Sequence, residues 1–381
     1  MKIVVCGGGT AGHITPILAI VDALRALDKS LDILYIGSGN TLEKDLVKKY
    51  HLTYKHVSSG KYRRYRRGWK KEITDLQTNK KNAIDALRFT KGYFQSNRIL
   101  RSYKPDVVFT KGGYVTVPLG LAASRLKIPL ITHDSDAVFG MSTRILAPRA
   151  QTIATGFPEN VFTDTPYKDK IVFTGNPVRK ELLSGSLTRA KQTFNFNSNK
   201  PVVLIFAGSQ GATAINEVVF EGLEIILKNY NVVHHTGAND IEKARFLAHN
   251  LPSSLQESYK PFDFLALELA DALFYADIVI GRAGANSIAE IAAHSKPAIL
   301  VPSPYAANNH QQKNAEVLER MGAARILQQD DLSPIRLISE IDKILTNPKV
   351  KKYLQKSIHE LWVPDAAARI AHLLIQSEKM V

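Results

Sequence analysis

Short apolar runs recur along the whole chain, and between them apolar positions return every three or four residues. The runs lie near 2–6, 32–36, 54–57, 107–110, 129–132 and 152–155. They resume near 171–174, 202–207, 231–235, 258–262, 278–281, 297–301 and 324–327. Their length and apolar content predict buried strands. The intervening period, clearest over 82–103, 213–228 and 310–321, predicts amphipathic helices. Strands alternating with helices imply parallel sheets covered on both faces. Two of the runs open directly into glycine loops, Gly7-Gly8-Gly9-Thr10-Ala11-Gly12-His13 and Gly208-Ser209-Gln210-Gly211. Two such openings predict two doubly wound α/β domains rather than one large sheet. The prolines and glycines between Phe157 and Pro177 mark the expected seam. The expected division is 1–165 and 166–362. Past Ile344 the pattern is helical only, with a stop at Trp362-Val363-Pro364-Asp365. The last helix, 363–381, has no strand of its own and is expected to pack back on the first domain.

At 381 residues the chain can support two cores of ordinary size. No apolar run reaches the roughly 18 residues needed to cross a bilayer. Met1-Lys2 leads into a strand with no signal-peptide pattern, and the single cysteine, Cys6, has no disulfide partner in the chain. These features predict a cytosolic protein. Charge changes the picture. Of the 50 basic and 35 acidic residues, 26 and 13 fall within 1–165, a net of +13, against 24 and 22 in the remainder, a net of +2. The first half therefore faces something anionic. Lys61 to Lys71 packs seven cations and three aromatics into eleven residues. Such a run reads as a solvated loop or as a surface that meets phosphates, lipid or nucleic acid.

Ligands of open α/β sheets bind beyond the carboxyl ends of the strands, so the segments just after each strand carry the candidate chemistry. The first glycine loop fits a dinucleotide fingerprint through Gly7, Gly9 and Gly12. Its second strand, however, ends in Gly37-Ser38-Gly39-Asn40, without the carboxylate that would hold the ribose. His13, at the mouth of the first helix, suits proton transfer. Lys111-Gly112-Gly113-Tyr114 is a tight turn or a binding loop. His133-Asp134-Ser135-Asp136 is a helix cap or a polar site. Arg282 to Glu290 sets small residues at a helix start, where N–H groups face an anion. Glu290 either accepts from ribose hydroxyls or answers the helix dipole. Asn308 to Asn314 clusters amides suited to hydroxyl-rich ligands. No metal-ligand spacing appears, so neither metal nor cofactor is expected.

Taken together, Gly8 to His13, Gly112 to Val115, Thr174-Gly175-Asn176-Pro177-Val178-Arg179, Gly208 to Gly211, Ala285 to Glu290, and His310-Gln311 with Asn314-Ala315 resemble the MurG family of glycosyltransferase family 28. The closing Pro364-Asp365-Ala366-Ala367 fits as well. The resemblance covers nearly the whole chain and implies a GT-B fold, two Rossmann-like domains with a cleft between them. It implies an inverting, metal-independent transfer of GlcNAc from UDP-GlcNAc to the 4-hydroxyl of MurNAc in undecaprenyl-pyrophosphoryl-MurNAc-pentapeptide (lipid I). By the same resemblance, Arg179 and Ser209 would hold the diphosphate, with backbone from Ala285, Asn286 and Ser287 at the same phosphates and Ile288 and Ala289 also among the UDP-GlcNAc-binding residues. Glu290 would take the ribose, main chain near Ala266 the uracil, and Gln311 the sugar. Thr10, Ala11 and Gly12 would close over the donor, and His13 would act as base. Gly112, Gly113, Tyr114 and His133 would lie on the acceptor side. Ala11 stands where the family often has glycine. Asp136 stands where an amide is expected at the sugar, and so competes with His13 as base.

The resemblance also implies a peripheral protein on the cytoplasmic face of the membrane, with no nucleic acid as partner. The rival readings are a related glycolipid synthase with a diacylglycerol acceptor, an NAD-dependent oxidoreductase, and a nucleic-acid-binding protein led by 61–71.

Overall fold

The fold was analysed in a computed structural model that describes residues 1–8, 11–60, 76–208 and 211–377. Two compact units emerge. The first comprises Met1–Ser135, Phe139–Pro177 and Asp365–Val381, and the second Asp136–Val138 and Val178–Pro364.

The first unit holds β1 (Lys2–Cys6), β2 (Asp32–Gly37), β3 (Thr53–His56), β4 (Val107–Thr110), β5 (Leu130–Asp134), β6 (Thr152–Thr155) and β7 (Ile171–Phe173). They form one sheet in the order β3-β2-β1-β4-β5-β6-β7, parallel throughout. Central strands covered on both faces need apolar side chains at every position. In β1, Ile3 and Val5 therefore enter one core and Val4 and Cys6 the other. On the Ile3 side the helix Ala11–Leu27 buries Ile14, Ile17, Leu18, Val21 and Leu24 at helical spacing. The helix Ala366–Gln376 joins the same core through Ile370, Ala371 and Leu374. Full burial of Ile370 and Leu374 contributes about 1.5–3 kcal/mol each.

The second unit holds β8 (Val202–Phe206), β9 (Asn231–His235), β10 (Tyr259–Phe262), β11 (Ile278–Gly281), β12 (Ala298–Leu300) and β13 (Arg325–Ile326). Their order is β10-β9-β8-β11-β12-β13, again all parallel.

Two expectations change. The run at 171–174 was assigned to the second half, but β7 pairs with β6, so the first unit continues to Pro177 rather than ending at 165. The helical stretch 213–228 is two helices, Thr213–Glu221 and Leu223–Asn229. Gly222 divides them, packed against the side chain of Pro334.

Candidate functional site

Each sheet reverses its winding direction once, between β1 and β4 in the first unit and between β8 and β11 in the second. Ligands of doubly wound sheets bind at such switch points. The motif loops lie there: Gly7-Gly8 follows β1, Lys111 to Gly113 follows β4, Gly208 follows β8, and Arg282 to Gly284 follows β11.

In the first unit these loops are pressed together. A Cβ on Gly113 would meet the Gly8 carbonyl oxygen at 2.4 Å, and one on Gly8 would meet Val115 at 2.8 Å. Gly113 also has φ +88°, a conformation that disfavours any side chain. His13 is half-buried in the first turn of its helix. Its ring lies 3.3 Å from where a Cβ on Gly112 would stand, so imidazole and turn fit against each other. Tyr114 is half-buried beside them. Beneath the loop Glu43 is fully enclosed, its Oε2 accepting from the Ser38 N–H at 2.8 Å and the Ser38 hydroxyl at 2.9 Å. Tyr35 donates to the Gly7 carbonyl at 2.6 Å.

His133 does not sit on an open surface. It is buried in β5, its Nε2 donating to the Gly175 carbonyl at 3.1 Å. Burial, and then the charge of the buried Lys111, push its pKa well below the ordinary value. It is a neutral framework residue with no open side for an acceptor. Lys111 donates to the Ser135 hydroxyl.

The second unit brings Arg179 and Glu290 together. Glu290 lies in the helix Ala285–Ala293, and lost hydration pushes its carboxyl up to about 7, opposed by the charge of Arg179. Part of Glu290 still reaches solvent. Among the described residues, nothing lies within 4 Å of where a Cβ on Gly208 or Gly284 would stand. Ile288 and Ala289, expected among the UDP-GlcNAc-binding residues, turn their side chains into the core. The Ile288 N–H bonds the Gly284 carbonyl at 2.9 Å. Helical periodicity is the reason: only the first-turn N–H groups of Ala285, Asn286 and Ser287 precede the internal ladder.

Ala266 lies exposed between β10 and the helix Glu268–Tyr275, its N–H donating to Glu268 at 3.1 Å. Gln311 is half-buried and its amide oxygen accepts from the Ser303 N–H at 2.9 Å. Asp136 is half-buried and accepts from Asn314 at 2.9 Å. Arg282 turns away to the Val301 carbonyl and to Gln329.

Asn314 and Glu43 carry no assigned role in the sequence reading. The signal for Asn314 was an amide on a helix face otherwise made of Ala315, Val317 and Leu318. Glu43, one polar residue in a first turn, gave no signal beyond a dipole partner. Gly9, Thr10, Ser209, Gln210 and the basic segment 61–71 lie outside the described residues, as does the side chain of Ala11. Among the described residues no group of three His, Cys, Asp or Glu is placed to hold a metal ion. A cavity of about 580 Å³ lies at the β13 edge, between Arg325 and Tyr353, and no motif residue lines it.

Residues 3–155 match the glycosyltransferase family 28 N-terminal domain and residues 202–370 its C-terminal domain. A curated relative from Clostridium perfringens is 39% identical over 93% of this chain and 92% of its own length. It is named UDP-N-acetylglucosamine--N-acetylmuramyl-(pentapeptide) pyrophosphoryl-undecaprenol N-acetylglucosamine transferase. The chain belongs to glycosyltransferase family 28. A Clostridium botulinum relative of the same name is 38% identical over 92% of each chain. The crystal structure of Acinetobacter baumannii MurG, at 26% identity, superposes with a TM-score of 0.75 over 98% of this chain and 99% of that one. A UDP-GlcNAc 2-epimerase from Neisseria meningitidis, 14% identical, reaches 0.67 over 99% of this chain and all of that one, and so shares the fold alone. Family membership accords with the missing ribose carboxylate after β2.

Proposed function

We propose that this chain transfers GlcNAc from UDP-GlcNAc to the 4-hydroxyl of MurNAc in lipid I, with inversion at the anomeric carbon. The observation that carries the reading is the second switch point, where Gly284 leaves the backbone open and the first-turn N–H groups of the helix Ala285–Ala293 stand one turn before the Glu290 carboxyl, whose charge Arg179 favours. In a UDP-sugar the ribose hydroxyls and the diphosphate are neighbours, and a carboxylate beside a guanidinium matches both. Arg179 and Ser209 hold the diphosphate with the N–H groups of Ala285, Asn286 and Ser287. Glu290 takes the ribose, main chain near Ala266 the uracil, and the Gln311 amide the hexose. Asp136 accepts from a hexose hydroxyl.

In the reaction the acceptor O4 bonds to the anomeric carbon as the bond from that carbon to the diphosphate oxygen breaks. UDP leaves with the electron pair, and the O4 proton passes to His13. An imidazole, with an unperturbed pKa near ~6.5, suits that transfer at neutral pH. Helix N–H groups and Arg179 meet the charge growing on the diphosphate with dipoles already in place. Thr10, Ala11 and Gly12 are assigned to the donor as well. Gly112, Gly113 and Tyr114 face the acceptor. The test is incubation with UDP-GlcNAc and a short-chain lipid I analogue, scored for UDP. Release that depends on the acceptor supports the reading; none, or release indifferent to acceptor, defeats it.

We further propose that the first unit docks on the anionic cytoplasmic leaflet. The helix Leu76–Tyr103 packs Leu100 inward but leaves Ile84, Leu87 and Phe94 exposed along one stripe, with Lys91 and Arg98 at the same spacing. Among the described residues no helix is long and apolar enough to cross a membrane. The stripe and the basic segment 61–71 together supply apolar area and cations, each cation near such a surface contributing about 1 kcal/mol. Changing Arg63, Arg64, Arg66 and Arg67 to Ser should abolish sedimentation with anionic vesicles and keep the rate on a water-soluble acceptor. Vesicle binding unmoved by both salt and these changes would defeat the proposal.

A further inference from the structure

Asn314 is completely enclosed, and its amide is spent on three partners. Its Nδ2 donates to Asp136 Oδ1 and to the Ala283 carbonyl, both at 2.9 Å, and its Oδ1 accepts from the Ala137 N–H at 2.8 Å. Both amide hydrogens and one lone pair are thereby committed. The flipped amide would set oxygen against a carboxylate and a carbonyl, so the network fixes the orientation. The segment Asp136–Val138 belongs to the second unit although its chain neighbours belong to the first. Asn314 is what ties it there, to the loop that opens the helix Ala285–Ala293.

One of these three partners is the carboxylate of a half-buried residue, a group costly to dehydrate unless it is hydrogen-bonded, and the bond from Asn314 fixes where that carboxylate points. Asn314 also lies one turn after Gln311, on the same face of the helix His310–Arg320. The charged groups nearest in sequence are engaged elsewhere: Lys313 with Glu316 at 2.9 Å, and Arg282 with Val301 and Gln329.

We infer that Asn314 is a positioning residue that holds the Asp136 carboxylate as a fixed hydrogen-bond acceptor for a hydroxyl of the donor sugar. The inference rests on the place given to Asp136 under the proposed function. A carboxylate held this way serves as acceptor, and the proton of the reaction is left to His13.

The test is a cycle of D136N, N314D and D136N/N314D, read by calorimetric binding of UDP-GlcNAc and of UDP, with melting temperature alongside. In N314D two carboxylates face each other and the Ala283 carbonyl loses its donor. In the double variant the bond between 136 and 314 returns with roles exchanged, while the Ala283 carbonyl stays unsatisfied. The difference between the two isolates the 136–314 bond. UDP-GlcNAc should weaken by roughly thirtyfold in N314D and recover by about tenfold in the double variant, the scale of coupling between residues in contact. UDP should change by less than about threefold throughout, because the sugar alone reaches Asp136. A double variant no better than N314D, with affinity tracking melting temperature, would make Asn314 merely structural and overturn the inference. Equal losses for UDP and UDP-GlcNAc would overturn it too, by placing its effect on the nucleotide loop. If the cycle holds while the unmodified protein releases no UDP in response to acceptor, the proposed reaction fails and the positioning role stands.

Discussion

At the first switch point the glycines lie packed against one another, with a carbonyl 2.4 Å from where a Gly113 Cβ would stand; at the second, Gly208 and Gly284 face open space. The two units share a winding order, yet glycine serves different ends in them. In the first it lets two loops touch and sets an imidazole against a turn. In the second, Gly284 has ordinary extended backbone, φ −77° and ψ 135°, and no neighbour to avoid. Nothing in the fold demands a glycine there. What a missing side chain leaves at Gly284 is room for a ligand to approach the backbone. Chemistry divides the same way, with His13 on the crowded side and the Arg179–Glu290 pair on the open side.

The comparison breaks most directly at His13. H13A should slow turnover by on the order of 10²-fold or more, the scale of losing a general base, with donor affinity little changed. If D136N is the more damaging while H13A stays active, the base lies at Asp136 and the division of roles is wrong.

The glycines sharpen it. G113A should cost well over about 1 kcal/mol of stability, since φ and contact both forbid the methyl group. G284A should melt at or above the unmodified protein, because an unstrained Gly→Ala change stabilises by about 0.4–1 kcal/mol. Its UDP affinity should nevertheless fall by about tenfold, the price of a methyl group where a phosphate approaches. Calorimetry and thermal melts on the same preparations check both. Equal melting losses in the two variants would erase the distinction between crowded and open switch points.

The open side can be divided further. R179A should weaken UDP by about tenfold and leave uridine unaffected, whereas E290A should weaken both, since ribose is common to them. Equal losses for both ligands in both variants would reduce the pair to fold support. The smallest expected effects depend on pH. With its pKa raised to about 7, Glu290 binds a proton more readily in the folded chain than unfolded. The folded state therefore loses stability as pH rises from the ordinary carboxyl range to about 7, and E290Q should flatten that fall. UDP binding should run the other way, improving as pH rises through about 7 and the carboxylate becomes able to accept ribose hydroxyls. An unchanged pH slope in E290Q would show that the carboxylate titrates elsewhere.

Much of this architecture was legible in the sequence because central parallel strands write themselves as continuous apolar runs, as Val202 to Phe206 and Lys2 to Cys6 do. The positions of the loops followed from those strands. β7 was not legible as a member of the first sheet: three residues pairing at an edge carry no local mark of which sheet they join. The break at Gly222 was hidden because apolar spacing continues across it. His133 and Asp136 looked alike, two polar residues after a strand, yet burial separates a framework imidazole from a reachable carboxylate. Gly113 and Gly284 are the same letter, and only their surroundings distinguish a glycine the fold requires from one it does not. Ile288 and Ala289 share a motif with Glu290, yet helical rotation turns their side chains into the core.

The helix Ala366–Gln376 places part of the first unit's core at the far end of the coding order. During synthesis the sheet β1 to β7 is made early, but the flank covered by Ile370, Ala371 and Leu374 stays bare until the whole second unit has been translated. Domains made early usually fold early. This one is held incomplete, and a transcript cut short just before codon 366 would yield an intact second unit joined to an uncapped, aggregation-prone partner. Ribosome profiling with pulse proteolysis would find the first unit protected only after the last helix has emerged.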